Sequence, residues 1–183
     1  ANGRIDYVGA SYANQGKYEV EGYDFFVDYT VELGGGDLDL TLEYSHIEDY
    51  GGAPFIGSDA HQNNAGFNGL PQDRYNLILN YTWGDYGIGV TNRHIGDFAF
   101  NSNCASQEEG GLCTKEGPYQ DKYDTIDIQA RADFGKYGTI SVGVINESDK
   151  DPLPDKGGVN YDVYTGLYDN RGKITYVRWK LSL

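Results

Sequence analysis

Through most of this chain an apolar residue stands at every second position, and charge is almost absent from those positions. In 23–33, Phe25, Val27, Tyr29, Val31 and Leu33 alternate with Asp24, Asp28, Thr30 and Glu32. In 37–45, Leu38, Leu40, Leu42 and Tyr44 oppose Asp37, Asp39, Thr41, Glu43 and Ser45. Tyr75, Leu77, Leu79, Tyr81 and Trp83 oppose Arg74, Asn76, Asn80 and Thr82. The pattern returns in Ile126, Ile128, Ala130, Ala132 and Phe134, in Ile140, Val142 and Val144, and in the closing Val177, Trp179, Leu181 and Leu183. Successive side chains of an extended strand point to opposite faces, so a period of two predicts strands with one dry and one wet face. No segment carries a helical stripe. The chain is therefore expected to be all-β.

What lies against the dry face is the question that decides function. The connections bear on it. Gly34-Gly35-Gly36, Gly84-Asp85 and Gly135-Lys136 read as tight turns, and they alternate with long polar loops at about 51–71, 101–120 and 148–171. Antiparallel strands joined this way collect the tight turns at one end and the long loops at the other. Transmembrane barrels of outer membranes have this asymmetry. The dry faces exclude charge over the roughly ten residues a tilted strand needs to cross hydrocarbon, where a charge costs about 2–4 kcal/mol. Tyr29, Tyr44, Tyr75, Trp83, Phe134 and Trp179 flank the dry stretches, as aromatic girdles flank a membrane. The competing architecture is a soluble sandwich whose inner faces are these same residues.

Composition is compatible with both. Apolar residues make up 39% and mean hydropathy is -0.59, values of a soluble protein. Half of each barrel strand is polar, however, so a barrel has them too. The 26 glycines and 17 tyrosines favour strands and turns. No apolar run reaches the length of a membrane helix, and no basic-then-apolar signal segment opens the chain. A mature form or a piece of something longer is expected. The net charge of -14 disfavours nucleic acid as a partner, and adsorption to anionic lipid through a basic patch.

Residues 4 to 33 read as one long strand, irregular near Asn14-Gln15-Gly16, giving about seven strands in all. An odd number leaves two unpaired edges, which hydrocarbon does not tolerate. The expectation is thus an antiparallel up-and-down transmembrane β-barrel segment, about seven or eight strands of a larger barrel. Breaking the first strand at Gly16 gives the alternative, a small closed barrel of about eight strands.

Other signals carry less. Cys104 and Cys113 share one polar, glycine-containing stretch and are expected to form a disulfide in an oxidising compartment, two free thiols being the alternative. His46, His61 and His94 are far apart and lack ligand spacing, so no metal or other cofactor is expected. Asp149, Asp151 and Asp155 miss the spacing of a calcium loop. The Gly87-Ile88-Gly89 triplet lacks the helix of a phosphate cradle and reads as close strand packing. No nucleophile–base set is legible, so no enzyme is expected.

Four stretches, in order along the chain, resemble the C-terminal end of TonB-dependent outer-membrane receptors. They are "NQGKYEVEGYDFFVDYTV", with Asp24 where Glu is common; "YNLILNYTWGDYGIGVTNRHIG"; "GVINESDKDPLP"; and the ending "YDNRGKITYVRWKLSL". The set is most similar to receptors that take up oligosaccharides. It departs at Leu183, where the family usually ends in Phe; Val177, Trp179 and Leu181 keep the preceding alternation. The family barrel has about 22 strands around a plugged lumen. On this resemblance residues 1–183 are the C-terminal portion of the barrel, without the plug, in the bacterial outer membrane.

The resemblance implies active import of a ligand such as an oligosaccharide or siderophore. The implied partners are the rest of the receptor, TonB acting through the missing plug, and outer-membrane lipid. The wet faces would line a hydrated lumen, with an acidic sector (Asp24, Asp28, Glu32, Asp37, Asp39, Glu43) and cations at Arg74, Arg93, Arg131, Arg178 and Lys180. Ligand contacts are expected on loops, with Tyr50, Phe55, Phe67, Asn68, Phe98, Phe100, Tyr119, Tyr161 and Tyr164 as candidates. Two other readings stand beside it: a small autonomous outer-membrane barrel with a structural or adhesive role, and a soluble carbohydrate-binding β-sandwich.

Overall fold

The computed structural model describes residues 17–53, 61–67, 69–99, 119–152 and 167–181. Its strands are β1 (Tyr18–Leu33), β2 (Gly36–Gly52), β3 (Gln62–Asn63), β4 (Asp73–Trp83), β5 (Tyr86–Ile95), β6 (Phe98–Ala99), β7 (Tyr119–Gln120), β8 (Tyr123–Asp133), β9 (Thr139–Ile145) and β10 (Ile174–Lys180). No α-helix occurs among the described residues; one 3-10 turn spans Gly135–Tyr137. Among the described residues most of the alternating segments are realised as strand.

The long strands form one antiparallel up-and-down sheet in the order β1-β2-β4-β5-β8-β9-β10, and short β3 pairs the outer end of β2. Strand β6 pairs with β7 in a separate two-stranded sheet, and its Ala99 also bridges Phe67. The sheet is open. β1 and β10 are its two edges and do not pair with each other, so the described strands do not close a barrel. The first long strand begins at Tyr18; residues 4–16, which the alternation joins to it, lie outside the described residues.

The tight turns collect at one end. Gly34 and Gly35 link β1 to β2 with φ of 60° and 86°. Two consecutive positive φ values belong to the two-residue hairpin turn whose twist matches that of the strands, and they select glycine. Gly84-Asp85 and the 3-10 turn at Gly135–Tyr137 make the other two connections at this end. The longer connections lie at the opposite end. There β1 carries a bulge between Glu21 and Gly22, where a Cβ on Gly22 would stand 2.3 Å from the His46 carbonyl oxygen.

Register sorts the side chains into two faces. One face carries Val27, Leu42, Leu77 and Ile126 in a transverse row, then Tyr29, Leu40, Leu79, Val90, Ile128 and Val144, then Val31, Leu38, Tyr81, Ile88, Ala130, Val142 and Val177. Asn92 and Thr175 are the polar exceptions within these rows, and Asn92 turns its amide onto the Thr125 carbonyl at 3.4 Å. Nothing in the described structure covers this face: Ile126 is 42%, Val142 47% and Val177 72% exposed. In a soluble sandwich these residues would be buried against a second sheet. The core that does exist is small and sits among the loops, where Phe67, Phe98 and Ala99 are buried.

Aromatic rings bound the apolar face at both ends. Towards the loops Tyr23 stacks on His46 at 5.0 Å and Tyr75 on His94 at 4.6 Å, with Tyr44 between them in the sheet. At the turn end Trp83 stacks between Tyr81 (5.4 Å) and Tyr86 (6.1 Å), and the Trp179 indole donates to the Tyr137 carbonyl at 2.9 Å.

Candidate functional site

The other face is polar, and its loop end holds a cavity of about 1040 Å³. Two transverse rows of residues cross the sheet here, and all of their members except Phe26, at the β1 edge, line the cavity. The outer row is Asp24, Ser45, Arg74, Ile95 and Tyr123; the next is Phe26, Glu43, Asn76, Arg93 and Thr125. Each row takes one residue from each of β1, β2, β4, β5 and β8. The alternation therefore fixes which residues reach the cavity, and strand register fixes which of them are neighbours.

Hydrogen bonds tie this floor across strands. Ser45 donates to Asp24, and the Asn76 amide donates to Glu43 at 3.0 Å. Arg93 is paired with Asp127. Closer to the turns, Thr30 donates to Asp39 at 2.7 Å and Thr41 to Asp28 at 3.2 Å. Charge is segregated along the sheet. Between Gly22 and His46, β1 and β2 present Asp24, Asp28, Glu32, Asp37, Asp39 and Glu43 on this face, and Glu32 stands directly opposite Asp37. The cations Arg74, Arg93, Arg131, Arg178 and Lys180 come from β4, β5, β8 and β10.

A returning segment, residues 167–173, forms one side of the cavity. Tyr168 is buried and meets Tyr123 edge-to-face at 4.9 Å. The Lys173 amide donates to Asp149 at 2.7 Å, and Asn146 holds Lys150 by two 2.9 Å bonds. Within the segment, Arg171 and Asp169 are paired at 2.6 Å. Hydrogen bonds from the Arg171 side chain and backbone, with Arg93 nearby, lower the Asp169 carboxyl to about 2. The same pairing raises the Arg171 guanidinium above its ordinary value.

Nearer the turns the wall is flattened by glycine. A Cβ on Gly87 would meet the Arg131 side chain at 2.6 Å, one on Gly89 the Asn80 amide at 2.6 Å, and one on Gly143 the Tyr176 ring at 2.6 Å. Each long side chain lies over its neighbour's glycine and bonds beyond it: Arg131 reaches Thr82 at 2.9 Å, and Tyr176 reaches Gln129 at 2.7 Å. The Gly87-Ile88-Gly89 triplet is a place of close approach, as its lack of a helix indicated.

The loop aromatics nominated from sequence fall in different places. Phe67 and Phe98 are buried in the loop cluster, bridged through Ala99, and offer no ring face to a ligand in this arrangement. Tyr50 is half-buried against Tyr18 at 5.2 Å. Tyr119 is 40% exposed. Phe55, Asn68, Phe100, Tyr161 and Tyr164, and the Cys104–Cys113 pair, lie outside the described residues. Of the nominated loop aromatics that are described, Tyr50, Phe67, Phe98 and Tyr119, none lines the cavity. The residue that sequence reasoning passed over is Phe26. It shares the charged face with Glu43, although Phe25 beside it belongs to the apolar one. Its place in the alternation, between Asp24 and Asp28, was the signal that could have found it.

The three histidines each face an acid: His46 and Asp73 at 2.8 Å, His61 and Asp49 at 2.7 Å, His94 and Asp124 at 2.6 Å. Among the described residues no three His, Cys, Asp or Glu side chains gather as metal ligands. No known family, curated protein or solved structure matches this chain.

Proposed function

We propose that this chain is a lipid-facing wall segment of a larger outer-membrane β-barrel, the C-terminal part of a TonB-dependent receptor that imports a ligand such as an oligosaccharide or siderophore. The observation that carries the membrane half is the uncovered apolar face with aromatic rings at both ends. From Tyr75 to Trp83 that face runs about 26 Å along β4, or about 20 Å at a tilt of roughly 40°, close to the apolar band of an outer-membrane barrel. Leaving so much apolar surface in water, at roughly 25 cal/mol per Å², would be costly. Acyl chains remove that cost. The polar face then borders water inside the barrel, and the long connections lie outside the cell.

The importer half rests on the ordered sequence resemblances. In that role the segment supplies wall and outer loops, while energy coupling belongs to the plug and to TonB, its partners elsewhere in the receptor. The two free edges, β1 and β10, are where the remaining barrel strands would add.

The physical half is tested by the solvent the chain needs. The purified chain should require detergent or lipid to stay folded and monodisperse. A folded monomer in plain buffer would remove the membrane reading and favour a soluble carbohydrate-binding protein. The importer half is tested by the reading frame upstream of Ala1, which should encode a plug and a TonB-contacting segment.

A further inference from the structure

We infer that the row Phe26, Glu43, Asn76, Arg93 and Thr125 is a binding site for a neutral oligosaccharide lying across the inner wall. This rests on the reading of the charged face as the border of an aqueous lumen. The row crosses five adjacent strands and so extends about 19 Å at the ordinary strand spacing, the reach of a short glycan.

Its chemistry is that of sugar recognition. The Phe26 ring is 64% exposed on the charged face, whereas Tyr123 is buried and Tyr176 lies over Gly143. An exposed ring among charges is an informative exception to ordinary burial. It gives the C–H face of a pyranose a flat surface to stack on. Beside it stand three planar forks: a carboxylate that accepts twice, an amide that both donates and accepts, and a guanidinium that donates twice. Neighbouring sugar hydroxyls each donate and accept, so such forks engage them in pairs. The forks are already held, Asn76 on Glu43 and Arg93 on Asp127, which lowers the ordering cost of binding.

Charge decides between ligand classes. The cavity is lined by five carboxylates and three guanidiniums, and two of those, Arg93 and Arg171, are already paired with acids. An anionic glycan or an acidic chelate would be repelled, whereas a neutral polyol is not.

The test uses the whole barrel to which this chain belongs, in lipid vesicles, with Cys104→Ser, Cys113→Ser and no other free cysteine as background, and labelling by a charged, membrane-impermeant thiol reagent. Ile78→Cys, on the charged face one row beyond the site, should label and its neighbour Leu77→Cys should not. The reverse pattern would overturn the lumen reading itself, whatever the ligand. Neutral malto-, xylo-, cello-, laminari- and manno-hexasaccharides are then compared with oligogalacturonate as protectants. At least one neutral glycan should protect Ile78→Cys with a Kd of roughly 1 mM or tighter, and oligogalacturonate should be about tenfold weaker. Phe26→Ala should weaken protection about tenfold without changing the unprotected labelling rate, and Phe26→Tyr should retain it. Normal labelling without protection by any neutral glycan, equal protection by the uronate, or indifference to Phe26→Ala would each overturn the proposal.

Discussion

Tyr176 on β10 lays its ring over Gly143 on β9 and hydrogen-bonds Gln129 on β8 at 2.7 Å. One side chain thus ties three strands across the face opposite the apolar one. A Cβ on Gly143 would stand 2.6 Å from the ring, so the ring must swing out and release Gln129. Gly143→Ala should therefore cost about 1–2 kcal/mol, and Tyr176→Phe, which loses only the hydroxyl bond, about 1 kcal/mol. The two losses should not add, because they remove one shared contact. Urea titration of the two variants and their double reads both effects.

A single charge distinguishes the two faces energetically. Leu79→Arg places a cation at mid-height on the apolar face and should cost about 2–4 kcal/mol of folding stability in lipid vesicles. Asn80→Asp, one residue along on the charged face, should stay within about 0.5 kcal/mol of the parent. Reversible denaturant unfolding in vesicles measures both. Equal costs would mean that the two faces share one solvent.

Much of this arrangement was legible before any coordinates. Leu77, Leu79, Ile126, Ile128 and Val142 share a face because a period of two permits nothing else once the segments are strands. Gly34-Gly35 and Gly84-Asp85 were readable as turns because their backbone demands are local. What was not legible depends on contacts distant in sequence. The docking of Tyr168 on Tyr123 joins residues far apart along the chain, and no local pattern announces it. The row that gathers Phe26, Glu43, Asn76 and Arg93 depends on the register of four strands, which alternation alone leaves free by steps of two. Reasoning from composition looked for ligand contacts among loop aromatics, where Phe67 and Phe98 instead build the only substantial buried cluster among the described residues. Closure was beyond reach for another reason: edges β1 and β10 need partners that these described strands do not supply.

The Asp169–Arg171 pair carries its own pH dependence. The folded carboxyl is depressed to about 2, against about 3.9 for a free aspartate. A depressed value contributes order that is complete above the ordinary one and is lost as pH falls from about 4 through about 2. Arg171→Gln removes the guanidinium hydrogen bonds and charge but keeps the backbone N–H bond, so Asp169 should rise towards the usual carboxylate range without fully reaching it. Carboxyl-carbon NMR titration of parent and variant would show it, and an unchanged Asp169 midpoint in Arg171→Gln would assign the depression to another group.

The chain has two tryptophans, Trp83 and Trp179, and both lie on the apolar face near its turn end. They are 42% and 63% exposed to whatever bathes that face. If that medium is lipid, their depth is fixed: indoles at a girdle sit at headgroup level, with the ring in hydrocarbon and the N–H towards polar partners. Trp179 already points its N–H at the Tyr137 carbonyl, in the turn beyond the strands. Lipids brominated near the headgroup should therefore quench the emission of the reconstituted chain more strongly than lipids brominated near the chain ends. Trp83→Phe and Trp179→Phe should each leave a remaining signal with that same depth profile. Aqueous iodide should quench either one only weakly, because the indole faces sit among acyl chains. Strong iodide quenching with no response to brominated lipid would put both indoles in water, and the apolar face with them.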